Sequence, residues 1–67
     1  MSVAELKRQY PKGTRIRCDG MDDPYDPIPE GTEGTVVAVD DAGQIHMAWD
    51  SGRTLALIPG VDRFTVL

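Results

Sequence analysis

Three prolines within six residues divide this chain and constrain its fold. Pro24, Pro27 and Pro29 lie in a segment, residues 19–31, that also carries five acidic residues. Because proline lacks a backbone N–H and fixes φ, no strand can continue through this segment as part of a sheet ladder. We therefore predict a loop. A loop of this length is uncommon in a small domain and is usually functional or packed on its own side chains.

The length and composition indicate one small domain over residues 1–67. Hydrophobic residues make up 40% of the chain, which excludes a disordered acidic tail. The longest uncharged apolar stretches, residues 34–39 and 55–61, are far shorter than the roughly 20 residues of a membrane span. Residues 1–10 lack the apolar core of a secretory signal, and one cysteine cannot form an internal disulfide. A cytoplasmic location and no membrane contact are expected.

The N-terminal residues predict one short helix over about residues 3–9. Ser2 and Glu5 have the spacing of a capping box, in which each side chain bonds the backbone of the other. Apolar residues then recur on one helical face. Pro11 ends the helix at Tyr10, because the residue before a proline avoids the α region. A helix this short is marginal alone, so we expect it to dock on the rest of the protein.

The remaining chain alternates between short strands and turns. A long loop, two hairpins, one helical turn and a last strand follow one another in the order of a small Src-homology-3-type barrel. We therefore predict a mainly β fold, a five-stranded barrel over about residues 14–67 with one N-terminal helix. The strands are expected at about residues 14–19, 34–39, 44–50, 53–58 and 64–67. The expected core is Ile16, Cys18, Val37, Val39, Ile45, Met47, Leu55, Leu57, Phe64 and Val66.

Charge is distributed unevenly along the chain, which has a net charge of −4. Residues 18–62 carry ten acidic residues and one arginine. Either the basic and acidic parts attract each other within one fold, or they form two opposed faces. A basic face could contact DNA or RNA phosphates, although the overall negative charge disfavours nucleic acid. The candidate nucleic-acid residues are the five basic residues of the first seventeen: Lys7, Arg8, Lys12, Arg15 and Arg17.

Two aromatic residues indicate a possible protein- or peptide-binding site. In a barrel of this order the proline-rich loop lies near the end of the third strand, so Tyr25 and Trp49 would line a shallow groove. An aromatic groove with an acidic rim suits a proline-rich or basic peptide. Alternatively, Trp49 belongs to the core, and Tyr25 and Ile28 cover the open end of the barrel. The candidate binding residues are Tyr25, Trp49, Asp22, Asp23, Asp26 and Ile28.

The sequence contains no recognisable catalytic or metal-binding constellation. Strand alternation places His46 outward and Cys18 inward, which argues against a Cys/His dyad. The predicted loop of residues 19–31 lacks the residue spacing of a calcium-binding loop, and the sequence contains no phosphate-loop or zinc motif. We expect a non-catalytic protein without cofactor or metal. It is expected to be a monomer or a weak homodimer, since a barrel edge near residues 63–67 is free to pair.

Several motifs together resemble a known family. They are Gly31-Thr-Glu-Gly-Thr-Val36, Gly43-Gln-Ile-His-Met47 and Pro59-Gly-Val-Asp62, with Met21-Asp-Asp-Pro-Tyr25 in the loop. The resemblance is to a domain-of-unknown-function family of short proteins from Gram-positive bacteria, phages and mobile elements. It covers about residues 6–67 and implies a small stand-alone β-barrel without an assigned activity or functional residues.

A second resemblance concerns Gly34-Thr-Val-Val followed by Trp49-Asp and Gly52. This pattern is similar to the barrel repeats of some eukaryotic ubiquitin ligases, which implies peptide binding. The leading hypothesis is therefore a protein- or peptide-binding adaptor of phage or mobile-element origin. The alternative is a nucleic-acid-associated accessory factor, or an acidic mimic of nucleic acid that inhibits a host nuclease.

Overall fold

The computed structural model describes residues 2–67, which form one antiparallel sheet and one helix. Four strands were found in these residues, and the sheet order is β3-β2-β1-β4. The prediction of a mainly β fold with one short helix is confirmed. The elements are α1 (Val3–Gln9), β1 (Arg15–Gly20), β2 (Glu33–Val39), β3 (Ile45–Trp49) and β4 (Arg63–Val66).

Helix α1 has the predicted bounds and docks through a few apolar side chains. The Ser2 hydroxyl accepts a hydrogen bond from the Glu5 backbone N–H at 3.2 Å, so half of the predicted capping box is present. Leu6 is buried, and its Cδ1 lies 3.4 Å from where a Cβ on Gly43 would be. The Tyr10 ring meets the Phe64 ring edge to face, with centroids 5.6 Å apart. The helix thus covers one end of the sheet.

A bulge in β2 changes which of its residues face the core. Val36 pairs with Met47 and Ala38 pairs with His46, so one residue of β2 has no partner between them. As a result Val36 and Val39 are both buried although they are three residues apart, whereas Val37 is 48% exposed. The prediction that Val37 belongs to the core is wrong, because strict alternation does not anticipate an inserted residue. Val66, also predicted in the core, is 49% exposed because it ends a strand at the sheet edge.

The segment predicted as the fourth of five strands, residues 53–58, is not a strand; we call it the edge segment. It runs beside β3 and meets it at both ends. The Trp49 N–H donates to the Arg53 carbonyl at 2.9 Å, and Ile45 and Leu57 exchange two backbone hydrogen bonds. Between these contacts the Leu55 carbonyl instead accepts from the Trp49 indole N–H at 2.7 Å.

The Trp49 indole therefore explains why the ladder is interrupted. In a regular hairpin the Leu55 carbonyl would face the Met47 N–H, but the indole occupies it, and residues 2–67 show no Met47–Leu55 backbone bond. The five-stranded expectation accordingly fails at this segment, and the described sheet is open rather than closed into a barrel.

Trp49 also explains the glycine that faces it across the sheet. Gly34 pairs with Trp49, and a Cβ on Gly34 would lie 2.7 Å from Cε3 of the indole. Any larger residue would push the ring away, so glycine is needed at this position. The buried hydrophobic residues are Leu6, Ile16, Cys18, Ile28, Val36, Val39, Ile45, Met47, Trp49 and Leu57; Leu55 and Phe64 pack against them.

Candidate functional site

The acidic loop, residues 21–32, is fixed at its start by a buried carboxylate. Asp62 is 8% exposed, and its two oxygens accept from different parts of the chain. Oδ1 accepts from the Asp22 backbone N–H at 2.9 Å, and Oδ2 accepts from the Ile58 backbone N–H at 2.7 Å. This side chain therefore joins the loop to the turn that follows the edge segment. Sequence reasoning missed its role, because an aspartate after Pro-Gly resembles any exposed turn residue.

Arg53 holds the middle of the acidic loop. Its guanidinium donates to the Asp26 carbonyl at 2.6 Å and to the Pro27 carbonyl at 3.3 Å, and lies 3.3 Å from an Asp26 carboxylate oxygen. The loop is thereby tied to the first residue of the edge segment. Asp26, one of the predicted binding residues, is thus engaged within the protein.

From Met21 to Ile28 the acidic loop forms no backbone–backbone hydrogen bond among residues 2–67, and side chains hold it instead. Ile28 is buried in the core, and its carbonyl lies 3.6 Å from the Cys18 sulfur. Burial raises the pKa of the Cys18 thiol, which favours its neutral form. Asp23 Oδ1 accepts from the Tyr25 backbone N–H at 2.8 Å, which forms a tight Asx turn. This turn directs Tyr25 away from the core.

The two candidate aromatic residues have opposite environments. Tyr25 is 93% exposed, whereas Trp49 is 3% exposed and belongs to the core. The structure does not bring them together in one groove. Of the two residues that could cover the open end of the fold, only Ile28 turns inward.

A cavity of about 270 Å³ lies between the acidic loop and the edge segment. Its lining includes the apolar side chains of Met21, Leu55 and Ile58 and the exposed ring of Tyr25. Three aspartates line the cavity, the buried Asp62 and the pair Asp22 and Asp23, which we call its rim, and none of the described residues that line the cavity is a lysine or arginine. The site therefore combines an apolar floor, an exposed phenol and negative charge. Three predicted binding residues, Tyr25, Asp22 and Asp23, line this cavity; Trp49, Asp26 and Ile28 do not.

Most of the N-terminal basic residues pair with acids of the same protein. Arg15 makes two bonds to Asp50, at 2.6 and 2.8 Å, and a longer one of 3.4 Å to Glu33. Its guanidinium holds the pKa of Asp50 below the usual value. Lys7 of α1 pairs with Asp41 of the turn between β2 and β3, and Arg17 pairs with Asp19 two residues along its own strand. Among residues 2–67, Arg8 and Lys12 have no such partner.

His46 has the predicted outward orientation and pairs with a turn aspartate. Its Nε2 lies 2.7 Å from Asp40 Oδ2, and Asp40 Oδ1 accepts from the Gln44 backbone N–H at 2.9 Å. These hydrogen bonds lower the pKa of the Asp40 carboxyl. Within residues 2–67 no three His, Cys, Asp or Glu side chains are grouped so that they could hold a metal ion. The same residues include no helix with the length and apolar character that a bilayer span requires.

The residues that carry the sequence resemblances have structural roles. Gly34 makes room for the Trp49 ring, and Gly52, at φ +93°, closes the hairpin by donating its N–H to the Trp49 carbonyl. The similarity to the ubiquitin-ligase repeats thus lies in residues that build a hairpin.

Comparison with known proteins identifies one family. No curated protein and no solved structure gave a match to this chain. A family model described as a domain of unknown function, DUF4314, matches residues 1–67. The motifs and the match agree, and the chain belongs to this domain-of-unknown-function family.

Proposed function

We propose that this protein is a non-catalytic module that binds a segment of another protein at the cavity beside Tyr25. The observation that carries the proposal is the exposure of Tyr25, 93%, beside an apolar floor. Tyrosine is enriched among the residues that dominate protein interfaces, because a rigid ring offers a large contact area and a polar tip. Ile58, 42% exposed, adds apolar surface on the opposite wall.

The way the acidic loop is held supports binding without a large rearrangement. Asp62 fixes the start of the loop and Arg53 its middle, so both walls of the cavity are positioned before a partner arrives. Preorganisation of this kind reduces the entropy lost on binding. A volume of about 270 Å³ is small for a cofactor pocket and suits one or two side chains of a partner.

The charge around the cavity favours a basic partner segment. The carboxylates of Asp22 and Asp23 line the rim. Opposite charge across an interface accelerates association and selects between partners. We therefore expect lysine or arginine in the bound segment, next to a residue that fills the apolar floor.

Nucleic-acid binding is the alternative, and the ion pairs disfavour it. Binding phosphates requires a basic surface, whereas Lys7, Arg15 and Arg17 are each paired with an aspartate. Arg8 and Lys12 are left for that role. An acidic mimic of nucleic acid would use the carboxylates of the surface as a whole and would not depend on Tyr25.

The same proposal includes the finer features expected from the sequence. We infer a Src-homology-3-type arrangement in which the edge segment occupies the position of the fourth barrel strand. The contacts at its two ends, to Ile45 and Trp49, support this inference. A phage or mobile-element origin, a cytoplasmic location and a monomer or weak homodimer complete the proposal.

The test is selection of random decapeptides on the purified protein, followed by affinity measurement on variants. We expect the selected peptides to be rich in lysine or arginine. Replacement Tyr25→Ala should weaken their binding about tenfold or more, as for a central interface residue. Val37→Ala is the matched control, because Val37 is exposed, apolar and outside the cavity.

Two results would contradict the proposal. One is a failure to select any peptide; the other is equal affinity for the native protein and the Tyr25→Ala variant. Binding to duplex DNA or RNA at low salt that falls steeply with added salt, and that survives Tyr25→Ala, would favour the alternative.

A further inference from the structure

The edge segment is extended, although it is not part of the sheet ladder. Ile45 faces Leu57 and Trp49 faces Arg53, so both ends keep the same antiparallel register with β3. Five residues on one side therefore span the same distance as five strand residues on the other. A segment can do this only if its backbone is close to the extended form.

The polar backbone groups of this segment point alternately to two sides. Arg53, Leu55 and Leu57 direct carbonyls toward β3 or the Trp49 indole. In an extended chain the residues between them point the opposite way. Accordingly, the backbone N–H and carbonyl of Thr54 and of Ala56 form no hydrogen bond with any group of residues 2–67.

This unpaired edge adjoins the candidate site. Ala56 lines the cavity beside Tyr25, and Thr54 precedes it by two residues. Edge strands in stable proteins are usually blocked by a lysine, a proline or a covering element. Thr54-Leu55-Ala56 has no such residue. The other open edge, β4, begins at Arg63, and its residues are outside this cavity.

We propose that the partner binds as an added β-strand along Thr54 and Ala56; this inference rests on the proposed function of the cavity. The N–H and carbonyl groups of these two residues bond to the backbone of an extended segment. Alternate side chains of that segment then face the cavity, where apolar residues contact Tyr25 and Ile58. Basic residues at other cavity-facing positions meet the carboxylates of Asp22 and Asp23.

Strand addition divides recognition between backbone and side chains. The backbone bonds accept nearly any sequence, whereas the cavity reads every second residue. Charge complementarity then selects the partner, because lysine or arginine is favoured at the rim and aspartate or glutamate is repelled. The partner is therefore predicted to be a basic segment without regular proline, in which the cavity-facing residues, at every second position, are apolar or basic.

The experiment uses a decapeptide selected on the native protein and methylates its backbone nitrogens one at a time. The protein is unchanged, so its folding is not at issue. We expect alternation: methylation at every second position weakens binding about tenfold, through a lost hydrogen bond and a steric clash. Methylation at the positions between leaves affinity within about twofold. In parallel, bound peptide should slow amide exchange at Thr54 and Ala56 relative to Thr65, a control in β4.

The outcomes separate the two proposals. A peptide that requires Tyr25 but shows no alternation, and leaves exchange at Thr54 and Ala56 unchanged, overturns strand addition and keeps the cavity as a binding site. A peptide that binds the Tyr25→Ala variant as tightly as the native protein overturns both the proposed binding site and strand addition. Selected peptides dominated by aspartate or glutamate overturn the predicted partner chemistry.

Discussion

The two halves of this molecule are held together by different bonds. In the sheet, β1, β2 and β3 pair through backbone hydrogen bonds in a regular register apart from the bulge in β2. In the irregular half, formed by the acidic loop and residues 53–62, side chains of Asp62, Arg53 and Trp49 bond to backbone groups instead. A ladder needs only an alternating pattern, whereas each of these side-chain bonds depends on one particular residue.

This difference also separates stability from binding. The sheet uses its central backbone groups within the fold, so it offers a partner little beyond side chains. The irregular half leaves the backbone of Thr54 and Ala56 without a hydrogen-bond partner in the described part of the chain, residues 2–67, and presents Tyr25 to solvent. The candidate site is therefore in the half where single residues replace the ladder.

Trp49 belongs to both halves, and its removal should have the largest effect. Trp49→Ala empties the space above Gly34 and removes the donor to the Leu55 carbonyl, so we expect a loss of about 3–5 kcal/mol in unfolding free energy. Urea unfolding measures this. Trp49→Phe keeps much of the ring and should lose about 1–2 kcal/mol, because the part-buried Leu55 carbonyl loses its donor. A loss below about 1 kcal/mol for Trp49→Ala would contradict a core role.

Substitutions at the bulge in β2 should have the next largest effect on stability, and they test the sheet without changing the irregular half. Val36→Ala should cost about 2 kcal/mol, since two buried methyl groups are removed and a small cavity remains. Val37→Ala, one residue later and exposed, should stay within about 0.5 kcal/mol of the native protein. Equal losses for the two variants, or a larger loss for Val37→Ala, would contradict the inward orientation of Val36 and the outward orientation of Val37.

The substitution Asp62→Asn tests how the irregular half is held, because asparagine has nearly the same shape as aspartate. In Asp62→Asn one carboxylate oxygen becomes an NH₂ group facing a backbone N–H, of Asp22 or of Ile58. We expect a loss of about 1–2 kcal/mol on urea unfolding and faster exchange of those two amides. Asp22→Asn, whose side chain is exposed, is the control. An unchanged exchange rate would show that the acidic loop is held in another way.

The sequence predicts the regular half of the molecule, the helix and the sheet, better than it predicts the irregular half. Capping residues and a proline set the bounds of α1, and alternation placed Ile45 and Met47 in the core. Periodicity cannot indicate that the Trp49 indole occupies the Leu55 carbonyl, because that bond competes with a ladder of the same register. Nor can it locate Asp62, which bonds an amide 40 residues away. The candidate site depends on these tertiary contacts, so only Tyr25 and the acidic rim were foreseen.

The smallest effect on stability is expected in the turn between β2 and β3, where backbone hydrogen bonds and a side chain act together. The Asp40 carboxylate pairs with His46 and accepts hydrogen bonds from two backbone N–H groups. These contacts lower its pKa below the roughly 3.9 of an unfolded chain. Because the folded pKa is the lower one, the carboxylate stabilises the fold above about pH 4, and this contribution disappears as pH falls through the folded pKa. Asp40→Asn should therefore be less stable than the native protein at pH 6, by urea unfolding, and the difference should shrink progressively as the pH is lowered below about 4. The neighbouring Asp41→Asn is the control, since Asp41 is exposed and pairs only with Lys7 among residues 2–67. If the stability difference between the native protein and Asp40→Asn stayed constant with pH, Asp40 would act through its shape and not through its charge. The turn would then depend on the hydrogen bonds of one particular side chain, as the irregular half does.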